Sequence, residues 1–255
     1  MLKKNFLKDK LQSGRTVLGT WCTIPSAITA DIISSTGLDF IIIDAEHGPI
    51  SFETAQQMAI AAESRNVSPV MRVGGIHEPD ILKALDIGVH CIQIPNVSSK
   101  SDIEKIIQLS KYPPIGNRGF SPFTRAGNYS IHNSKTLTEI ANHNTLIAIN
   151  IEGKEAFDKI DDILQLKELD IIFIGLFDLS KSLGMPGEVD HPEVQSMLKN
   201  ITRKINNSGK YTGTIATSID KLNSFSDLGI KYIVYLVDCE MLKSSYENVF
   251  SKFNL

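Results

Sequence analysis

An imidazole, a guanidinium and two carboxylates stand where short apolar runs of this sequence end. His47 follows Phe40-Ile41-Ile42-Ile43-Asp44, and Arg72 closes Pro69-Val70-Met71. Glu152 closes Leu146-Ile147-Ala148-Ile149-Asn150-Ile151, and Asp178 comes four residues after Ile171-Ile172-Phe173-Ile174. If these runs are parallel strands of one barrel, the four side chains meet at the C-terminal rim, where such enzymes keep their chemistry. Glu152 and Asp178 are hard oxygen ligands that suit Mg2+ or Mn2+ and leave coordination positions open. A 2-oxo acid can fill those positions with its keto and carboxylate oxygens. A Lewis acid there favours loss of the neighbouring C–H proton. Arg72 adds positive charge at the developing oxyanion, and His47 is the natural general base, directly or through a metal-bound water. Each residue also has a plainer reading. The carboxylates could be helix N-caps, Arg72 the partner of a core carboxylate, and His47 a loop hydrogen-bonder.

The elements that must hold these groups are legible along the chain. Apolar, β-branched runs at 16–22, 40–44, 68–73, 91–95, 145–151, 170–175, 211–216 and 232–238 read as strands. Their near-continuous hydrophobicity means that both faces are buried, as in a parallel sheet covered by helices. Helical patterns lie between them, opening at Ser51, at Ser101-Asp102 and at His191-Pro192, the last ending at Asn207-Ser208-Gly209. Gly37, Gly88, Gly209 and Gly229 each close a helix before the next strand. Eight such units predict a (β/α)8 TIM barrel formed by one domain over residues 1–255. No G-x-G-x-x-G follows the first strand, which disfavours a dinucleotide-binding open sheet. The stretch 112–134, with prolines at 113, 114 and 122, is too long for a plain connection, and such loops are commonly functional.

Several chemistries are disfavoured. A Schiff-base aldolase needs a lysine at a strand end, whereas Lys154 and Lys181 fall in the following helix or loop. No glycine-rich turn follows strands seven and eight at Thr217-Ser218 or Asp238-Cys239, which argues against a phosphosugar. A net charge of −3 gives no reason to expect nucleic acid or an anionic membrane as partner. The apolar runs are too short to span a bilayer. Met1 to Lys10 is basic with no apolar run after it, so it does not read as a secretory signal. Cys22, Cys91 and Cys239 show no ligand spacing and are expected as buried small hydrophobes in a reduced, cytoplasmic protein. His77, His90, His132, His143 and His191 read as surface or structural. Glu46 is expected to point away from His47, because neighbours on an extended segment face opposite ways.

Taken together, the segments Leu18-Gly19-Thr20-Trp21, Asp44-Ala45-Glu46-His47-Gly48-Pro49, Val70-Met71-Arg72-Val73 and Leu85-Asp86-Ile87-Gly88 are familiar. So are Tyr112-Pro113-Pro114-Ile115-Gly116-Asn117-Arg118-Gly119, Arg125-Ala126, Ile151-Glu152 and Gly175-Leu176-Phe177-Asp178-Leu179-Ser180. In this order and spacing the chain resembles the HpcH/HpaI family of metal-dependent pyruvate aldolases over essentially its whole length. The resemblance implies Glu152 and Asp178 as ligands of a divalent cation (Mg2+ or Mn2+, with Co2+ as an alternative) and Arg72 as partner of the enolate oxygen. It implies His47 and Asp86 as a base dyad across the barrel mouth. Trp21, Arg118, Leu176 and Phe177 are implied around the substrate. It also implies a last helix exchanged between subunits in a homo-oligomer, a hexamer built as a trimer of dimers. The expected reaction joins or cleaves a C–C bond between a pyruvate-type enolate and an aldehyde, on a 4-hydroxy-2-oxo acid. Two departures stand beside the carboxylates: Leu176 where the family usually has proline, and Asn150 where it usually has glutamine. They leave room for a Claisen-type synthase that condenses an acyl thioester with a 2-oxo acid such as oxaloacetate. A catalytically inactive barrel serving assembly or binding is the third reading, opposed by the joint presence of His47, Arg72, Glu152 and Asp178.

Overall fold

The computed structural model describes residues 4–131, 134–152 and 154–253. His132 and part of the 112–134 stretch therefore lie outside the described residues. The strands are β1 (Val17–Cys22), β2 (Phe40–Asp44), β3 (Ser68–Arg72), β4 (Cys91–Val97), β5 (Leu146–Ile151), β6 (Ile171–Ile174), β7 (Tyr211–Ala216) and β8 (Tyr232–Val237). They pair in chain order, all parallel, and β8 returns to β1 to close a (β/α)8 barrel. The helices are α1 (Phe6–Gln12), α2 (Ala27–Ser34), α3 (Phe52–Ser64), α4 (Glu78–Asp86), α5 (Lys100–Ser110) and α6 (Ser134–Asn144). They continue with α7 (Lys154–Asp158), α8 (Ile160–Ile163), α9 (Leu176–Ser182), α10 (Pro192–Asn207), α11 (Ile219–Asp227) and α12 (Asp238–Lys252).

The apolar runs form strands because alternate residues serve two different cores. Ile41, Ile43, Met71, Ile92, Ile147, Ile149, Ile172 and Ile233 pack outward against the helices. Phe40, Ile42, Val70, Ala148, Phe173 and Tyr232 fill the barrel itself, with Leu7 and Leu11 of α1 packed among them. The amide of Leu7 donates to Ser68 Oγ, at the start of β3, so α1 stoppers the N-terminal end. Phe40 and Tyr232 stack at 4.2 Å, and a methyl group on Gly19 would run into the Phe40 ring.

Local signals set most boundaries. Ser51 caps α3 and His191 caps α10, as the sequence suggests. The helix expected at Ser101-Asp102 instead starts at Lys100, because Ser99 and Asp102 form a reciprocal capping box. The four helix-closing glycines all adopt φ between +80° and +96°. Cys22 and Cys91 are buried, but Cys239 is exposed. It belongs to the start of α12 rather than to β8, and after Asp238 that helix is largely exposed.

On α12, Leu242, Tyr246, Val249 and Phe250 are all exposed, the two aromatics by 71 and 70%. Beside its first turns, between α2 and α11, lies an apolar groove of about 560 Å3 lined by Ile32, Ile33, Ile219 and Leu222. No helix of the described residues is long and apolar enough to cross a membrane.

Candidate active site

Arg72 is the best-fixed group on the C-terminal rim. It ends β3 directly beside Asp44, the last residue of β2. Its Nε and Nη2 donate to the two Asp44 carboxylate oxygens at 2.8 and 2.6 Å, a bidentate pair that is buried. The guanidinium carbon lies 4.0 Å from the centroid of the Trp21 ring, which is 6% exposed. Trp21 thus forms a wall beneath Arg72, and it meets Phe173 edge-on. The plainer reading of a strand arginine is met here together with the sharper one. Asp44 holds the guanidinium still, while N–H groups on Nη1 and Nη2 are left over from the five it carries.

Glu46 takes part in this cluster, against the expectation that it faces away. Its Oε2 lies 3.0 Å from Arg72 Nη1 and 3.9 Å from His47 Nε2, and Asn96 Nδ2 donates to its Oε1 at 3.3 Å. The alternation argument fails because residues 45–47 form a turn, with the Glu46 amide donating to Asp44 Oδ1. The Gly48-Pro49 pair was the sequence signal for that turn. Burial pushes the Glu46 carboxyl up from its usual range; Arg72 and His47 pull it down, while Glu152 and Asp44 add to the push. His47 itself projects from the turn with its side chain 70% exposed.

Glu152 follows the last residue of β5, and Asn150 Nδ2 donates to its Oε1 at 3.3 Å. Asp178 sits in the first turn of α9, its carboxylate folded back over Gly175 at the end of β6. Asp178 does not act as a helix N-cap: α9 has Gly175 in that place, without a side-chain cap. Leu176 is buried, whereas Phe177 is 58% exposed on the rim beside Asp178. Lys154 and Lys181 fall in α7 and α9, not on strand ends. Asp238, at the top of β8, receives hydrogen bonds from the Thr23 amide and hydroxyl and the Ile24 amide, each at 3.0 Å. It ties down the loop that follows Trp21, a positioning role that its sequence context did not reveal.

The structure does not bring Asp86 and Arg118 to this rim. Asp86 ends α4, the end that leads back to the start of β4, so it lies at the opposite mouth from His47. Its carboxylate accepts from Arg118 Nη2 at 2.7 Å, and Arg118 stacks on Tyr112 at 4.5 Å. Burial pushes the Asp86 carboxyl up, and Arg118 partly offsets this. The irregular segment after α5 is laced to the same end, with the Ala126 amide donating to Asp86 O and Arg125 Nη1 to Ile87 O. A His47–Asp86 dyad within one barrel is therefore not formed.

Three carboxylates, Glu46, Glu152 and Asp178, thus stand on one rim with Arg72, whose charge Asp44 already balances. Among the described residues no three His, Cys, Asp or Glu side chains converge as a complete protein cage for a metal. Residues 17–243 match the model of a family described as HpcH/HpaI aldolase/citrate lyase. The chain is 30% identical to a pyruvate aldolase of Rhizobium etli, over 99% of this chain and 98% of that one. Its fold superposes on an HpcH/HpaI aldolase from Desulfitobacterium hafniense with a TM-score of 0.91, at 27% identity over 98% of this chain and 97% of the other. It is also similar to the citrate synthase SbnG, with a TM-score of 0.87 and 29% identity over 97% of each chain.

Proposed function

The chain belongs to the HpcH/HpaI aldolase/citrate lyase family, a carbon–carbon lyase by that kinship, and from this premise we propose a divalent-metal-dependent aldolase acting through a pyruvate-type enolate. Its substrate on this reading is a 4-hydroxy-2-oxo acid, cleaved reversibly to the 2-oxo acid and an aldehyde. The observation that carries the proposal is the immobilised Arg72, pinned by Asp44 and Trp21 beside a rim rich in carboxylates. Such a rim holds more negative than positive charge, and Glu46 is pushed toward neutrality there. Hard oxygens with surplus negative charge fit a divalent cation such as Mg2+, Mn2+ or Co2+, held by Glu152 and Asp178. Two protein carboxylates leave coordination positions for substrate and water. When bound, the cation would supply Lewis-acid polarisation of the 2-oxo acid carbonyl.

The chain's own groups do the rest. Arg72 offers its spare N–H groups to the oxygen on which negative charge grows, at no cost of reorganisation because Asp44 and Trp21 already fix it. In the condensing direction His47, exposed on the rim, takes the methyl proton and delivers it to the aldehyde oxygen as the C–C bond forms. In cleavage it takes the 4-hydroxyl proton and returns it to the enolate carbon. Trp21 and Phe177 wall the approach, and Leu176 supports that wall from the core. Asp86 and Arg118 can serve such a site only from a second copy, because in their own barrel they lie at the far mouth. A homo-oligomer, with the exposed face of α12 received in a neighbour's α2–α11 groove, is part of the proposal. A hexamer of three dimers is the expected form.

The test is proton–deuterium exchange at the pyruvate methyl group in D2O, followed by NMR with and without Mn2+ or Mg2+. Metal-dependent exchange is expected, abolished in Glu152→Ala, Asp178→Ala and Arg72→Ala. Normal exchange in a chelated wild-type sample would falsify the metal mechanism. The likeness to a citrate synthase favours one second reading, condensation of an acyl thioester with a 2-oxo acid. Thiol release on adding an acyl thioester and oxaloacetate, without pyruvate exchange, would establish it instead.

A further inference from the structure

A polar chain runs through the barrel interior and ends on Glu152. Tyr232 of β8 is completely buried, stacked on Phe40 and met edge-on by Phe173. Its hydroxyl donates to Gln93 Oε1 at 3.2 Å. Gln93, on β4 and also fully buried, donates through Nε2 to Asn150 Oδ1 at 2.7 Å. Asn150, on β5, donates through Nδ2 to Glu152 Oε1 at 3.3 Å. The three bonds run in one direction, which the carboxylate end sets and the phenol end completes. An ionised carboxylate only accepts, so it selects the amide nitrogen of Asn150. That choice turns Asn150 Oδ1 toward Gln93, and Gln93 Oε1 toward the phenol.

Apolar side chains would fill the same volume without the desolvation that buried amides and a phenol carry. Phe40, Ile42, Val70, Ala148 and Val234 fill the neighbouring interior in that way. Gly213 and Gly19 leave the room that the Tyr232 and Phe40 rings occupy, so the phenol's place is itself built into neighbouring strands.

We infer that Tyr232 and Gln93 are positioning residues for Glu152, acting through Asn150 to fix which carboxylate oxygen faces a bound divalent cation. This rests on Glu152 as a cation ligand. Asn150 occupies Oε1 and holds the side chain by one oxygen, leaving Oε2 to face the rim. Without the phenol, Gln93 Oε1 is left buried without its donor, so Gln93 is driven to reorient, and Asn150 Oδ1 loses the amide that holds it. Both amides can then rotate, and Glu152 is released from its single orientation. Outer partners of metal ligands are typically worth about 10–100-fold in metal affinity.

The experiment is a Mn2+ titration of wild type, Tyr232→Phe and Gln93→Met, reading free Mn2+ by EPR, with the melting temperature of each metal-free protein alongside. Tyr232→Phe keeps the ring stacked on Phe40 and removes only the hydroxyl. Gln93→Met keeps the length and removes both polar atoms, and it carries the test if the tyrosine variant does not fold. Weakening of Mn2+ binding by roughly tenfold or more in a folded variant is the expected result. A lowered melting temperature with Mn2+ affinity within twofold of wild type would overturn the inference and leave the chain a packing device. Absence of Mn2+ binding by the wild type itself would overturn the reading of Glu152 as a ligand, and the relay with it.

Discussion

Arg72 shows how little freedom a single charged side chain has at this rim. Its two bonds to Asp44, its stacking on Trp21 and its approach to Glu46 account for most of its surface. Asp44 is thus as necessary as the residue it holds. Asp44→Ala is expected to lower stability by about 3–5 kcal/mol, because the buried guanidinium loses its bidentate partner and keeps only the Glu46 contact. Urea unfolding measures this, and a loss below about 1 kcal/mol, as for an exposed pair, would show that water enters to replace the carboxylate. Pyruvate methyl exchange should be lost in the same variant. The sequence made Arg72, Glu152 and Asp178 visible because the first two close apolar runs and the third follows one within four residues. It hid Glu46, whose inward turn depends on the backbone leaving the extended conformation at Ala45.

At the scale of elements, the strands were readable because burial on both faces forces unbroken apolar runs. Helix starts were readable wherever one polar residue does the capping, as at Ser51. The start of α5 was not, because the capping box places its defining serine three residues before the aspartate that completes it. The course of residues 112–131 was also beyond the sequence. Its anchors, Asp86 with Arg118 and Ile87 with Arg125, are pairings between distant positions that no periodicity encodes. The close approach of β1 and β2 gives a sharp prediction. Gly19→Ala should cost about 1–3 kcal/mol, since the added methyl group must displace the Phe40 ring and with it the Phe40–Tyr232 stack. Differential scanning calorimetry checks it; an unchanged melting temperature would mean that the ring moves aside freely.

For the whole molecule, the exposed side chains of α12 and the groove beside it are complementary in chemistry: both are apolar. Light scattering should give a multiple of the chain mass. The double variant Tyr246→Asp/Phe250→Asp should give a smaller species, and a monomeric wild type at micromolar concentration would refute the arrangement. The ring of strands also bears on how the chain comes to be folded at all. β1 finds one of its two neighbours in β8, with Thr20 bonded to a carbonyl 215 residues later. During synthesis that side of β1 has no mate until the final strand has emerged, and its bare backbone is a template for wrong pairing. Joining the two ends is thus the contact of greatest sequence separation, the one that topology makes slowest and that gives the nascent chain its longest exposure to aggregation.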